Sequence, residues 1–270
     1  MEAVGVPVGG VAFVTGSSSG IGAGLARRLA RAGYAVGLAA RRADRLEALA
    51  AEIERAGGRA CVCPCDVSAR DDVRAAIRRA EDDLGAVDLL VANAGVSERT
   101  YVESLDGRDV ERVMKVNFLG AVYAVEAVLP AMLARGSGHL VAVGSITGYG
   151  GLPMTAAYSA SKGALHNFFE SLRIDLRRSG VAVTVVTPGY VRTEMTARNL
   201  HPMPFLVDLD DAVERIYTAI AGRRRLLSFP APLAAVARFA AVLPAAWYDR
   251  VAGRVKRDQR AAPRSPRGRP

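Results

Sequence analysis

A doubly wound α/β fold, a parallel sheet with helices on both faces, is what this chain of 270 residues predicts. Three observations carry the prediction. Short apolar runs read as strands buried on both faces, stretches with helical spacing separate them, and a glycine-rich turn joins the first strand to the first helix. Composition agrees: 50% hydrophobic and 23% charged residues support a sizeable core and exclude disorder throughout. With aromatics at 6%, the core is left to residues such as Ala, Val and Leu that let helices lie close on a sheet.

The elements follow in order. Val11–Thr15 (VAFVT) reads as a buried strand, GSSSGIG as a turn, and Leu25–Ala32 has helical spacing. Ala35–Ala40 (AVGLAA) is a second strand before the charged helix Ala43–Ala56. A third apolar stretch, Ala60–Cys65, precedes Asp66 and the helix Asp71–Leu84. Asp88–Ala92 (DLLVA) ends at Asn93-Ala94-Gly95. Glu111–Leu133 predicts a long helix, His139–Gly144 a strand, Ala156–Arg178 a helix and Ala182–Thr187 (AVTVVT) a strand. Thr193–Val207, with His201, Pro202 and Pro204, has no period and is expected to be a mobile loop over a site. Asp208–Ala221 is a helix whose acidic first turn complements the helix dipole. Cys61, Cys63 and Cys65 alternate along a strand; without a fourth ligand nearby they read as soft core residues, with no metal. Pro64 between them fits an edge strand.

The charge is uneven. Residues 221–270 hold 12 Arg/Lys and 2 Asp/Glu, a net of +10, against −1 for residues 1–220. The basicity belongs to an extension, so the high isoelectric point is no sign of a nucleic-acid partner. The expected division is a domain at 8–225, a basic amphipathic extension at 226–257 and a disordered tail at 258–270. Leu233, Val236, Phe239, Ala240 and Leu243 form one stripe, continued by Trp247, Val251 and Val255 beside Arg250, Arg254, Lys256 and Arg257. Two readings stay open: an arm that covers the pocket or completes an interface, and a peripheral contact of residues 229–257 with an anionic membrane surface. Prolines and weakly apolar alanines argue against a spanning helix. No secretory signal is visible near the N-terminus, and the expected location is cytoplasmic, with that membrane contact as the peripheral variant.

The chemistry begins at Thr15-Gly16-Ser17-Ser18-Ser19-Gly20-Ile21-Gly22, between strand and helix, where glycines let backbone N–H groups approach a pyrophosphate. This turn resembles the cofactor turn of the short-chain dehydrogenase/reductase family. So do Asn93-Ala94-Gly95, Asn117 in KVNFLG, Ser145 in VGSITG, Tyr158 and Lys162 in YSASK, and Pro188-Gly189 followed by Thr193. The likeness runs from residue 10 to about 225. It implies a Rossmann-like sheet of seven parallel strands and an NAD(P)-dependent oxidoreductase. It also implies that Gly16, Ser18, Ser19, Gly20, Ile21, Gly22, Asn93, Ala94, Gly95, Pro188, Gly189, Val191 and Thr193 hold the cofactor, with Asp66 and Val67 at the adenine.

Tyr158 and Lys162 share a helix face. A phenol, with a pKa of about 10, is too weakly acidic to work well as a base at neutral pH, and an ammonium within ~4–6 Å lowers it by about 1–3 units. Tyr158 is therefore expected to be the general acid/base, Lys162 to tune it, and Ser145 to hydrogen-bond the substrate oxygen; the resemblance adds that Lys162 contacts the nicotinamide ribose. The resemblance alone gives Asn117 a local helix break and a water that relays protons to Lys162. At the end of the second strand Arg41 and Arg42 replace the carboxylate that would bind the ribose of NAD, which favours NADP over NAD.

The expected activity is hydride transfer between NADP(H) and a carbonyl or secondary alcohol. Tyr149, Leu152, Met154, Met195, Met203 and Phe205 suggest an apolar ligand. The competing readings are a nonenzymatic NADP-responsive binding or regulatory protein and a scaffold at a membrane surface. A homodimer or homotetramer is expected through the helices at 111–133 and 156–178. These carry apolar residues beyond one stripe: Val122, Val125, Val128, Leu129, Leu165, Phe168, Phe169 and Leu172, with Phe169 taken as exposed. His166 is expected to serve packing or an interface.

Overall fold

The computed structural model describes residues 10–199 and 202–260, the side chains of Arg198, Val251 and 254–260 excepted. His201 and residues 261–270 of the expected disordered tail lie outside the described residues.

Seven parallel strands form one sheet: β1 (Val11–Thr15), β2 (Ala35–Ala40), β3 (Arg59–Pro64), β4 (Val87–Ala92), β5 (Gly138–Val143), β6 (Val181–Pro188) and β7 (Leu226–Phe229). Their order is β3-β2-β1-β4-β5-β6-β7, with every neighbouring pair parallel. From β1 the chain winds outward through β2 and β3, then returns to the other side of β1 with β4. The carboxyl ends of β1 and β4 thus flank the switch point at which open α/β sheets bind ligands. β1, β2 and β5 are buried along their whole length, as their unbroken apolar runs require. β3 is an edge and alternates between buried and open positions, its Pro64 being tolerated where no further strand needs an N–H.

Helices α1 (Gly20–Arg31), α2 (Ala43–Arg55) and α7 (Leu209–Ala221) cover one face, around Leu25, Leu46 and Ile216. On the other lie α3 (Arg70–Leu84), α5 (Gly120–Ala134) and α6 (Ala156–Asp175), around Ile77, Val128 and Phe169. α4 (Gly107–Met114) leads into α5 through a π-helical turn, Lys115–Leu119. The run Gly107–Ala134 is long and apolar enough to cross a bilayer by composition. Its α5, however, packs on α3, β4 and β5 as a core helix. Cys61, Cys63 and Cys65 are buried beside α3, with the thiols of Cys61 and Cys63 3.6 Å apart. Burial pushes all three thiols up, that of Cys65 to about 11.

Four expectations need correction. The long helix begins at Gly107 and not at Glu111, while its π-helical turn at 115–119 is the local break expected at Asn117. The domain does not stop at 225: β7 completes the sheet at 226–229, and its four residues are hidden in the sequence behind Arg223, Arg224 and Arg225. The extension folds as α8 (Ala231–Ala241) and α9 (Ala245–Arg260), so helix continues through 258–260. Phe169 is fully buried, not exposed, and its neighbour Phe168 is the half-buried one.

Candidate active site

The first βα turn is built for a close approach. Gly16 has φ +69°, and a Cβ there would lie 2.8 Å from the Ala94 Cα; a Cβ at Gly22 would lie 2.3 Å from the Gly16 carbonyl oxygen. Turn and strand end are laced together: Thr15 Oγ1 accepts from the N–H groups of Asn93 (3.0 Å) and Ala94 (3.1 Å), and Asn93 Nδ2 donates to the Thr15 carbonyl at 3.0 Å. Ser17 faces inward and donates to the Ala39 carbonyl, leaving Ser18 and Ser19 at the surface of the turn. No acidic residue and no side-chain cap occupy the first turn of α1, an end whose first N–H groups could hold an anion.

Arg42 sits against this turn. Its Nη2 donates to Ser18 Oγ and Ser19 Oγ, both at 2.9 Å, and it lies 3.6 Å from Glu194, which Arg45 holds at 2.7 Å. Arg41 borders the cleft toward Asp66. The Asp66 carboxyl is held below the usual range by Ser68, whose N–H and hydroxyl both donate to it, and further by the charge of Arg41.

At the other end, β5 delivers Ser145 and α6 delivers Tyr158 and Lys162. Ser145 Oγ accepts from Thr147 N–H (3.2 Å) and Thr147 Oγ1 (2.9 Å), capping the short 3₁₀ turn Ile146–Tyr149. That turn rests on α6: a Cβ at Gly148 would lie 2.9 Å from the Lys162 carbonyl oxygen and 3.2 Å from the Gly163 nitrogen. Lys162 is buried; its Nζ donates to the Val143 carbonyl at 2.9 Å, and burial pulls its pKa down to about 8. Tyr158 is half-buried on the cleft wall. Burial raises its hydroxyl above the ordinary value, and the hydroxyl of Ser145 draws it partly back. Lys162 Nζ lies 5.9 Å from the Tyr158 ring centroid and donates to the Val143 carbonyl.

Asn117 is buried behind the cleft. Its Oδ1 accepts from Val96 N–H at 2.7 Å, and its Nδ2 donates to the Val96 carbonyl at 2.9 Å and to Ser161 Oγ at 3.0 Å. It therefore fixes the segment after β4 against α6, and the π-helical turn is the local break that puts it there. A Cβ at Gly95 would be 3.4 Å from Asn117 Oδ1 and 3.5 Å from Lys162 Nζ.

One cleft of about 820 Å³ joins the two ends. Gly16, Ser18, Ser19, Gly20, Ile21, Arg41, Arg42, Asp66, Val67, Asn93, Ala94 and Gly95 line its end beside the first βα turn. Ser145, Tyr158, Lys162, Pro188, Gly189, Val191 and Thr193 line the other, whereas Gly22 and Asn117 lie behind the wall. Leu152, Met154 and Met195 face in as expected. Tyr149, Met203 and Phe205 do not line it. Tyr149 instead turns its hydroxyl to Thr187 (3.1 Å), Ser228 (3.0 Å) and the donating Arg238 (3.2 Å) and packs its ring edgewise on His166, a packing role for that histidine.

Sequence reasoning missed most of the roof. Leu233, Val236, Ala237 and Ala240 of α8, with Tyr248 of α9, close the cleft from above. Tyr248 donates its hydroxyl to the Gly151 carbonyl, and Leu233 lies so near Gly189 that a Cβ there would be 2.9 Å from it. The signal was the i, i+3, i+4, i+7 spacing from Leu233; the stripe was visible, but not which of its members turn inward. Thr187, Ser228 and Arg238 come from separate elements and share no spacing that a sequence displays.

Comparison with known proteins places this geometry in company. A family model described as short chain dehydrogenase matches residues 10–203. An uncharacterized oxidoreductase of Myxococcus xanthus is 45% identical over 245 residues, which cover 91% of this chain and 97% of that protein. A variant of actinorhodin polyketide ketoreductase, solved with NADPH, superposes with a TM-score of 0.77 at 29% identity, covering 86% of this chain and 99% of that one. An alcohol dehydrogenase from Thermococcus sibiricus, complexed with 5-hydroxy-NADP, gives 0.72 at 28% identity, over 82% and 94%.

Proposed function

Because the chain belongs to the short-chain dehydrogenase/reductase family of oxidoreductases, we propose that it transfers hydride between NADP(H) and a carbonyl or secondary alcohol on a hydrophobic substrate. The observation that carries this reading is one cleft with Arg41, Arg42 and the serines of the glycine turn at one end, and Ser145, Tyr158 and Lys162 at the other. The residues fit the cofactor: the Cβ-free cradle at Gly16 and Gly22, the uncapped start of α1 and the two guanidiniums suit a pyrophosphate and a further phosphate. When bound, the nicotinamide ring supplies or accepts the hydride.

The chain's own part is the proton. Tyr158, kept protonated by its surroundings, donates to the substrate oxygen in the reducing direction, and Ser145 hydrogen-bonds that oxygen as charge develops on it. Lys162 places a positive charge behind Tyr158 and anchors it through Val143; Asn117 holds the adjoining backbone in register. Leu152, Met154, Leu233 and Ala240 give the substrate end an apolar wall.

The test is NADPH oxidation against a panel of aldehydes and ketones of increasing chain length. Tyr158→Phe should keep the fold and cofactor binding but lose at least ~10²-fold in kcat. Near-normal turnover of a folded variant would falsify the role.

A further inference from the structure

The roof of the cleft has an outer face that no other element covers among the described residues. Phe239, Val242 and Trp247 are 66%, 78% and 62% exposed, within nine residues of sequence. Elsewhere, exposed large apolar residues such as Val102, Leu133 and Ile174 are dispersed along the chain. Surface apolar residues that cluster in this way mark a site of interaction.

The charge of the segment that carries this face selects its occupant. Between residues 229 and 248 there is no Asp or Glu, and the 50 residues from 221 carry the net +10 that the rest of the chain lacks. A two-fold contact between copies through this face would set two such segments against each other, each with only Asp249 and Asp258 to offset twelve basic residues. Nucleic acid offers anionic charge but no apolar phase for Phe239 and Val242. An anionic lipid surface offers both: phosphate headgroups for the arginines and a headgroup–acyl boundary for the apolar side chains, with Trp247 of the type that settles at that boundary. α8 has 11 residues and α9 has 16, short of the roughly 20 that cross a bilayer, so both would lie along the surface.

We propose that the outer face of α8 and the start of α9 dock the protein on anionic membranes. The face is separate from the catalytic groups: Phe239 and Val242 do not line the cleft, while Leu233 and Ala240 of the same helix do.

Trp247 is the sole tryptophan and therefore a built-in reporter. The full chain is mixed with vesicles of phosphatidylcholine and phosphatidylglycerol in equal parts, or of phosphatidylcholine alone, then sedimented, and Trp247 emission is recorded. Anionic vesicles should carry the protein down, shift the emission to the blue, and release the protein as salt rises. Neutral vesicles should bind at least about tenfold more weakly. Phe239→Glu/Val242→Glu, at exposed positions, should keep the wild-type melting temperature and lose at least about tenfold in partitioning. Failure to sediment with anionic vesicles overturns the proposal, and so does undiminished binding by the folded double variant. A blue shift that grows with protein concentration without lipid would assign the face to a second copy and overturn it. Equal affinity and an equal Trp247 response with an RNA homopolymer would overturn it as well.

Discussion

Replacing Arg42 by alanine should weaken binding of NADPH and spare NADH. Its Nη2 lies 2.9 Å from both Ser18 Oγ and Ser19 Oγ, at the lip of the glycine turn, and the nearest carboxylate, Glu194, is held more tightly by Arg45. A phosphate would give this guanidinium an anionic acceptor in place of two neutral hydroxyls. Hydrogen bonds to charged groups are worth about 1.5–3 kcal/mol. With the Arg42 side chain 42% exposed, solvent screening brings this to roughly 1–2 kcal/mol. That corresponds to about a 5- to 30-fold rise in Kd for NADPH. NADH lacks the phosphate and should change by less than about twofold, on the same arithmetic. Calorimetric titration of both cofactors into wild type and variant reads the two numbers directly. Equal weakening of both would refute the reasoning, since it would show Arg42 supporting the turn and not recognising a phosphate. An unchanged NADPH affinity would refute it too, and an Arg41→Ala variant would then show whether the neighbouring guanidinium takes that role.

Three further outcomes are expected. With Lys162 pulled to about 8 and Tyr158 raised, the alkaline limb of carbonyl reduction should fall near pH 8 and belong to Lys162; Lys162→Arg, which stays charged, should move the limb upward in a pH–kcat profile, and an unmoved limb would reject the assignment. His139, bonded to Thr184 Oγ1 at 2.8 Å, is lowered to about 3 chiefly by burial, so the unfolded chain binds a proton that the folded one refuses. Its contribution to stability is complete above about pH 6.5 and is lost as pH falls toward 3: roughly 2 kcal/mol between pH 6.5 and 5, or about 4–8 °C in Tm. His139→Gln should flatten that dependence, and parallel melting curves for both proteins would count against it. Half-buried Phe118, Val122, Leu129, Phe168 and Leu172 leave apolar surface on α5, α6 and the turn before them; Leu172→Glu should convert an oligomer to monomers in sedimentation, and a wild type already monomeric at micromolar concentration would remove the premise.

Much of the site was legible because its chemistry is local. The turn from Gly16 to Gly22 and the pair Tyr158/Lys162 each lie within one short segment, where spacing alone decides which side chains can meet. The six longer strands announced themselves as apolar runs. What escaped notice depended on distance in sequence. Leu226–Phe229 becomes a strand only because β6 offers it an open edge. Phe168 and Phe169 are adjacent, and only the packed helix shows which of them faces the sheet. The Tyr158–Lys162 pairing was sound as a shared helix face, but it could not reveal that the Val143 carbonyl claims the ammonium. Asn117 could be placed by resemblance, while its partners Val96 and Ser161 come from two other segments.

The contact at Gly148 divides the cleft into a wall that tolerates rewriting and one that does not. Along α8 and the loop beyond Pro188 the cleft is lined by side chains such as Leu233 and Met195, whose exchange reshapes the space. Beneath Ser145 the main chain of the turn bears on the main chain of α6 at Lys162 and Gly163, with no room for one added carbon. Anything that thickens or displaces that turn must move Ser145 relative to Tyr158. Libraries aimed at new substrates should diversify the roof and the 190s loop, and hold residues 145–149 and 158–163 constant.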